Sequence, residues 1–472
     1  MRCASKLVLM RIHFKRSPQL IMAKDESASQ RLTNLATEPV GRLLWRYSIP
    51  AVVGIVVMQL YNIVDRIFIG HVVGDVAIAG LTITFPVTNI ATALGILVGA
   101  GASARVSIAL GAKNIRMAQI ITGNSLVLTL LIGAVYLTLF AVFIDPILTL
   151  FGARPDTLPY ARDMMLYVLP GLLITNVTFS FNNIMRASGF PVKAMITMLI
   201  GAAVNIALAP LFIYVFGWGI KGAAIATDIA MAVSCVFVMR HFVKPHGEIF
   251  FRRGIYRLRM DVIKAIFSIG AAPCLISVAS CFINVQINNS LLKYGGQDSG
   301  AIASAGVFVT FTALICSVVI GICQGMQPIV GYNYGAGLRH RLRRTYMLTV
   351  GVSTIVCVLG FLGGEFIPAP ISSTLLNNPE LISSTARYLQ ICMLAFWMVG
   401  FQIVSTNFLQ SIGKAGQSIF LSLTRQVLFI IPLLLVMPRF FGLDGIWMSF
   451  PAADVCASAV TLVMVWRCFR RL

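Results

Sequence analysis

Gly189 in RASGFPVKAMI is answered in the second half of the chain by Gly413 in QSIGKAGQSIF, and Gly219 and Gly222 in GIKGAA are answered by Gly442 and Gly445 in GLDGIW, at an interval one residue shorter. The spacing continues toward the start of each half. Gly101 and Gly111-Ala112 precede Gly325 and Gly335-Ala336 by the same interval that separates Gly189 from Gly413, and Ser48-Ile49 precede Ser268-Ile269 by four residues less. An offset this constant over most of the chain reads as an internal duplication with both copies running in one direction. In a membrane chain, parallel repeats separated by an even number of spans are related by an axis along the membrane normal. A substrate path then lies between the halves.

The solvent of this chain is lipid: 58% of its residues are hydrophobic, 11% are charged, and the mean hydropathy is +0.87. A bilayer core of roughly 30 Å takes about 20 apolar residues per helix. About twelve such stretches start near Leu43, Ala77, Gln119, Ala161, Ala194, Gly222, Ala265, Ala301, Arg344, Ala386, Ser418 and Gly445. The predicted fold is therefore an all-α polytopic membrane protein, with about 12 transmembrane helices in two six-helix bundles related by a pseudo-two-fold axis. The expected division is a mobile cytoplasmic leader over 1–40, a first bundle over 41–245, a basic cytoplasmic linker over 246–264 and a second bundle over 265–472. Within the leader, Met22 opens a polar segment and offers an alternative start.

The net charge of +21 is distributed as topology signals rather than as a nucleic-acid footprint. About 29 of the 37 Lys and Arg fall on one side of the alternating loops, among them Lys113, Arg116, Arg186, Lys193, the Arg240 to Lys264 loop and the Arg339 to Arg344 run. The positive-inside rule makes that side cytoplasmic, with both termini inside a cell (inner) membrane. The partners expected are small molecules and the lipid bilayer, with no nucleic acid, and the chain is expected to be monomeric.

Ten cysteines lie singly within mostly apolar spans, with no Cys-x-x-Cys pair and no histidines at metal-ligand spacing, so no metal and no cofactor is expected. No Gly-x-x-x-x-Gly-Lys-Ser/Thr loop cradles a nucleotide, and no Gly-x-Ser-x-Gly elbow carries a nucleophile. An enzyme reading has nothing to stand on.

Polar groups inside the spans carry the functional argument, because a charge at mid-bilayer costs about 2.5 to 3.5 kcal/mol on insertion scales. Asp65 in MQLYNIVDRIFIG lies about 22 residues into the first span. It either pairs with Arg66 near the interface or joins Tyr61 and Asn62, which lie four and three residues earlier on one helical face. On that face its carboxylate is able to exchange a proton or to ligate Na⁺. Asn205 sits in the fifth span, five residues before Pro210, and Thr227-Asp228 sit in the sixth. Asn205 either joins helices or takes part in an ion site where the proline frees carbonyls.

SIPAVVGIVVMQLYNIVDRIFIG, RASGFPVKAMITMLIGAAVNIALAPLFIY, GIKGAAIAT, GICQGMQPIVGYNYGA and LTRQVLFIIPLLL together resemble the multidrug and toxic compound extrusion (MATE) family, in its bacterial MepA-like and DinF-like branch, over roughly Pro39 to Trp466. The resemblance implies a secondary antiporter that exports amphipathic, often cationic compounds in exchange for H⁺ or Na⁺. It matches Asp65, Asn205 and Thr227 to the family's ion-coupling acid, Asn and Thr. Many relatives carry an Asp before the fifth-helix proline, where this chain has Ala209. The missing carboxylate favours H⁺ over Na⁺ coupling. Asp228, next to Thr227, is the expected substitute, although one residue turns a side chain about 100° around the helix.

Expected contacts of substrate are the adaptable and polar groups Met58, Tyr61, Asn62, Phe179, Met185, Asn284, Asn288, Phe308, Phe311, Gln324, Gln327 and Phe401. The second half is expected to lack a matching buried acid, with a neutral lining in FINVQINNSLL, and Arg425 is expected to snorkel from a cytoplasmic end. Two alternatives stand. A flippase for lipid-linked oligosaccharides would want a strongly cationic cavity, and a non-transporting scaffold or receptor would tolerate loss of Asp65.

Overall fold

The computed structural model describes residues 28–471 apart from 74, 152, 156, 244–246, 296–298, 375 and 377, and leaves out the side chains of 28, 29, 62–83, 220 and 299. The described residues form helices and no strand. They are α1 (Ala28–Thr37), α2 (Val40–Val73), α3 (Asp75–Gly111), α4 (Ile115–Val142), α5 (Ile144–Leu150), α6 (Leu158–Ala187), α7 (Pro191–Pro210) and α8 (Gly219–Val243), followed by α9 (Met260–Tyr294), α10 (Ser299–Gly335), α11 (Arg339–Phe366), α12 (Pro368–Ser373), α13 (Pro379–Met393), α14 (Val399–Ser411), α15 (Ala415–Leu423) and α16 (Ile431–Arg471). Long apolar runs take this form because lipid offers no partner for a backbone amide, and a helix satisfies its amides internally.

Ten helical stretches among the described residues are long and apolar enough to cross a membrane, and α13 with the segment Phe396–Ser411, bent by 47°, makes an eleventh. The last of the ten, Ala415–Arg471, has 57 residues, about 85 Å of helix and more than twice the bilayer core. Gly442 breaks it with φ 56 and ψ −134, and Arg425 bonds Asp454 across 29 residues, so the stretch folds back on itself. Among the described residues the crossings therefore number twelve, as the hydropathy predicts.

Each lobe repeats one turn. Gly189 (φ 94) and Gly413 (φ 78) hold the left-handed conformation that a side chain resists. After α6, Gly189 donates to Arg186 O and Phe190 to Met185 O, both at 3.2 Å; after α14, Gly413 donates to Gln410 O at 3.0 Å and Lys414 to Leu409 O at 2.9 Å. These are Schellman-type closures at equivalent places.

The lobes meet through a two-fold set of contacts, α2 on α10 and α3 on α9, with α3 on α10 along the axis. Glycines set the distance. A Cβ on Gly101 would overlap the Ile266 carbonyl and one on Gly270 the Leu97 carbonyl; on the other side, Gly325 and Gly321 lie against the backbone of Ser48 and Val52. Helices that approach this closely are held by dispersion and small residues rather than by a hydrophobic gain. The axis pairs Ser48 with Ile266 and Val52 with Gly270, so the register along the first helices of the two lobes is two residues shorter than the Ser48 to Ser268 match indicates. Gly111 and Gly335 meet at the same end of the bundle, each against a carbonyl of the opposite helix, Tyr332 and Ile108.

One connecting segment departs from expectation. From Ala28 the leader is a docked helix rather than a mobile tail: Leu35 is fully buried, Asn333 Nδ2 donates to its carbonyl at 3.1 Å, and Arg341 Nη2 donates to Leu35 O at 3.3 Å and Glu38 O at 2.6 Å. The amphipathic pattern of ASQRLTNLAT is its cause. Residues 1–27 lie outside the described residues. The linker is strapped to α4 by Asn124, which is buried and donates to Ile255 O and Arg257 O at 3.1 Å while accepting from Arg259 N at 2.9 Å.

Candidate functional site

Between α2, α6, α7 and α8 lies a cavity of ≈ 110 Å³, reached from the other lobe by Gln324 of α10. Met58, Phe179, Met198 and Met231 give it an apolar, adaptable wall, and Thr178, Asn182, Thr197 and Ser234 add hydrogen-bonding groups. Among the described residues its one charged lining side chain is Arg186. That side chain, expected among the topology-setting loop cations, is 4% exposed and donates to Asn182 Oδ1 at 2.9 Å and directly to Gln324 Oε1, while its Nε has no partner among the described residues. Its place in the last turn of α6, rather than in the loop beyond, is what buries it. A buried guanidinium bonded to two neutral amides thus ties the first lobe to the second at their sealed end.

Deeper in this lobe, Asn205 of α7 donates from Nδ2 to Thr227 Oγ1 of α8 at 2.9 Å. Asn205 is buried, and the Thr227 hydroxyl donates onward to Ala223 O at 3.1 Å. Ala209, also buried, offers no acid. Asp228, one residue on, faces a different neighbour. Its carboxylate lies where a Cβ of Gly171 on α6 would stand, packed directly against that residue. Gly171, which follows Pro170 inside α6, has no side chain and so leaves room for the carboxylate. No ion pair joins Asp228 among the described residues. The side chains of Asp65 and Asn62 lie outside the described residues; α2 is helical through that stretch, so position 65 follows Met58 by two turns. Pro210 passes into a π-helical segment, Leu211–Val215, the kind of irregularity that recurs at functional sites.

The second lobe overturns two expectations. Its lining is not neutral, because a buried acid, Asp454, comes from a helix other than the one that carries FINVQINNSLL, and Arg425 does not snorkel: its Nε donates to Asp454 Oδ1 at 2.5 Å, with Asp454 2% exposed and the arginine side chain 26%. The pair lines a cavity of ≈ 250 Å³ together with Asn284, Phe308, Phe396 and Phe450. The signal was present in the sequence, since SLTRQVLF and FPAADVCASAV each carry one charge of opposite sign in adjoining apolar runs. Two charges that lipid would reject singly are admissible as a pair.

The remaining candidates divide. Met58, Phe179 and Gln324 line the first cavity, and Asn284 and Phe308 the second. Tyr61 is buried beside Met58, Ala202 and Met231. Met185 is fully buried in the core and lines neither cavity, Phe311 and Phe401 pack against that core, and Asn288 is exposed. Gln327 Nε2 is engaged across the lobes by Ser103 Oγ at 3.1 Å.

Two duplicated helix bundles, sealed at one end by paired glycine contacts and each enclosing a cavity, define a polytopic membrane protein of the two-lobed carrier type. A family model described as MatE matches residues 50–211 and 273–436, one block in each lobe, and the chain belongs to that family. Multidrug export protein MepA of Staphylococcus aureus (strain MSSA476) is 26% identical over 439 residues, covering 92% of this chain and 96% of the relative. A solved structure of the MATE multidrug transporter DinF-BH is 35% identical, covers 91% of this chain and 96% of that one, and superposes with a TM-score of 0.84. The outward-facing conformation of a multidrug resistance MATE family transporter superposes with a TM-score of 0.88 at 22% identity, over 95% of this chain and 100% of that one, a likeness of fold.

Proposed function

We propose that this chain is an inner-membrane antiporter that exports amphipathic, cationic small molecules in exchange for H⁺, with the first lobe as the ion-coupled one. The observation that carries the coupling is the lone carboxylate of Asp228, packed against Gly171 with no cation beside it among the described residues. Such a group gives up its charge at smaller electrostatic expense than Asp454, which a guanidinium holds. Na⁺ fits less well. Asn205 and Thr227 are already bonded to each other, and two neutral oxygens with the single carboxylate of Asp65 make a sparse cage for a dehydrated cation.

In the mechanism, substrate enters from the cytoplasm and the lobes then close at the basic end, where Arg186 reaches Gln324 and the glycine contacts lock α2 to α10 and α3 to α9. Protonation of Asp65 and Asp228 from outside removes buried charge, lets α2 and α6 repack, and expels substrate outward. Deprotonation toward the cytoplasm resets the carrier. One proton crossing 100 mV supplies about 2.3 kcal/mol. Both termini lie on the basic, cytoplasmic side in this reading.

The test is ethidium efflux from energised vesicles under separately imposed pH and Na⁺ gradients. The expected result is efflux driven by the pH gradient, lost in Asp65→Asn and reduced at least tenfold in Asp228→Asn. Drive by Na⁺ alone overturns the coupling assignment. Unchanged transport in Asp228→Asn removes that residue from it.

A further inference from the structure

The charged pair of the second lobe leaves most of one guanidinium unused. Arg425 carries five N–H donors on two edges. One of them, Nε–H, meets Asp454 at 2.5 Å, and no other hydrogen bond or ion pair of Arg425 is found among the described residues. The partners are unequally covered: Asp454 is 2% exposed and Arg425 26%, and the surface that the arginine keeps open is on the ≈ 250 Å³ cavity it lines. Arg425 is also set on a π-helical segment, Thr424–Ile430, whose wider turn departs from the register of α15. The wall beside it is aromatic. Phe308 and Phe450 stand 4.9 Å apart, centroid to centroid and tilted by 58°, with Phe396 on the same cavity and Asn284 supplying an amide.

This combination selects a ligand chemistry. An open guanidinium fork in a low-dielectric cavity matches a carboxylate through two parallel N–H···O bonds, and its second edge remains free to hold Asp454. Aromatic faces take a flat apolar body. A cation has little to gain there, because the one buried acid is already in close contact with an arginine. We propose that the second-lobe cavity binds amphipathic organic carboxylates, with Arg425 as the anchor of the acid and Asp454 as the residue that holds Arg425 in place. The site lies outside the ion-coupled lobe and goes beyond the efflux reading, since occupancy at equilibrium needs no gradient.

Dansylglycine and its neutral amide, dansylglycinamide, share one flat body and differ in the carboxylate. Their binding to the purified full-length chain in lipid nanodiscs, read by fluorescence anisotropy against empty nanodiscs, tests the assignment. Wild type is expected to prefer the acid at least tenfold. Arg425→Gln/Asp454→Asn removes both charges together, so that neither is stranded, and is expected to bind the two probes alike. Arg186→Gln, which alters the guanidinium of the other cavity, and Asp65→Asn are expected to keep the preference. No preference in wild type, a preference that survives the double variant, or one abolished by Arg186→Gln overturns the site. Failure of proton-driven efflux with the acid preference intact would sink the transport reading alone.

Discussion

The two lobes bridge the same pair of helices with different chemistry. In the first, Asn205 and Thr227 join α7 to α8 through a neutral hydrogen bond at 2.9 Å; in the second, Arg425 and Asp454 join the equivalent helices through an ion pair at 2.5 Å. The offset that carries Gly222 to Gly445 puts Asn205 opposite Leu428 and Thr227 opposite Phe450. The charged pair is therefore three residues earlier on one helix and four later on its antiparallel neighbour. Both steps move it the same way, about one turn or 5 Å toward the end that carries Gly189 and Gly413. The duplicated scaffold thus fixes where polar groups cross between helices and leaves open whether the crossing is charged. In the second lobe each charge is answered by the other, whereas the Asp228 carboxylate of the first lobe has no ion-pair partner among the described residues.

The comparison breaks most sharply if one charge is removed. Asp454→Ala strands Arg425 in the second lobe and is expected to destabilise the protein by about 3 kcal/mol, read as a loss of folded protein in a thermal-shift assay in detergent. Arg425→Leu/Asp454→Leu, which removes both charges, is expected to recover most of it; a double variant as unstable as the single one would refute the pair's self-neutralising role. Next in size is the lobe seal. Gly325→Ala and Gly101→Ala each push a Cβ into opposing backbone and are expected to cost about 1 to 3 kcal/mol apiece, with similar values on the two sides of the pseudo-two-fold axis. Gln324→Ala takes one of two partners from the buried guanidinium of Arg186, an expected loss of about 1 to 3 kcal/mol. Amide hydrogen exchange along the α2–α10 contact checks whether the sealed end opens more often in that variant. The smallest effect belongs to the neutral bridge. Thr227→Val is expected to cost about 1 kcal/mol in stability, and a loss as large as that of Asp454→Ala would erase the contrast between lobes.

Twelve crossings, the direct repeat and the membrane class were legible in the sequence, because hydropathy and glycine spacing are local or periodic signals. Gly101, Gly111, Gly325 and Gly335 stood out in the repeat before their role was visible; in the fold they are where one lobe's backbone touches the other's. Asn205 and Thr227 were likewise legible as a pair of oxygen-bearing groups on successive helices. Helical register also separated Thr227 from Asp228, and the fold turns them to α7 and α6 respectively.

Arg186, Arg425 and the leader helix were misplaced for one physical reason. Whether a cation near a helix end reaches water or an acid depends on what packs over it, and the packing partner lies far away in sequence. Arg186 meets Gln324 across 138 residues, and Asn333 meets Leu35 across 298. The chain's own alphabet determined that it spans a bilayer as two copies of one bundle, since lipid enforces helix and apolarity residue by residue. Only the tertiary structure decided which buried charge has a partner, because in a medium of low dielectric the fate of a charge is set by its nearest neighbour in space.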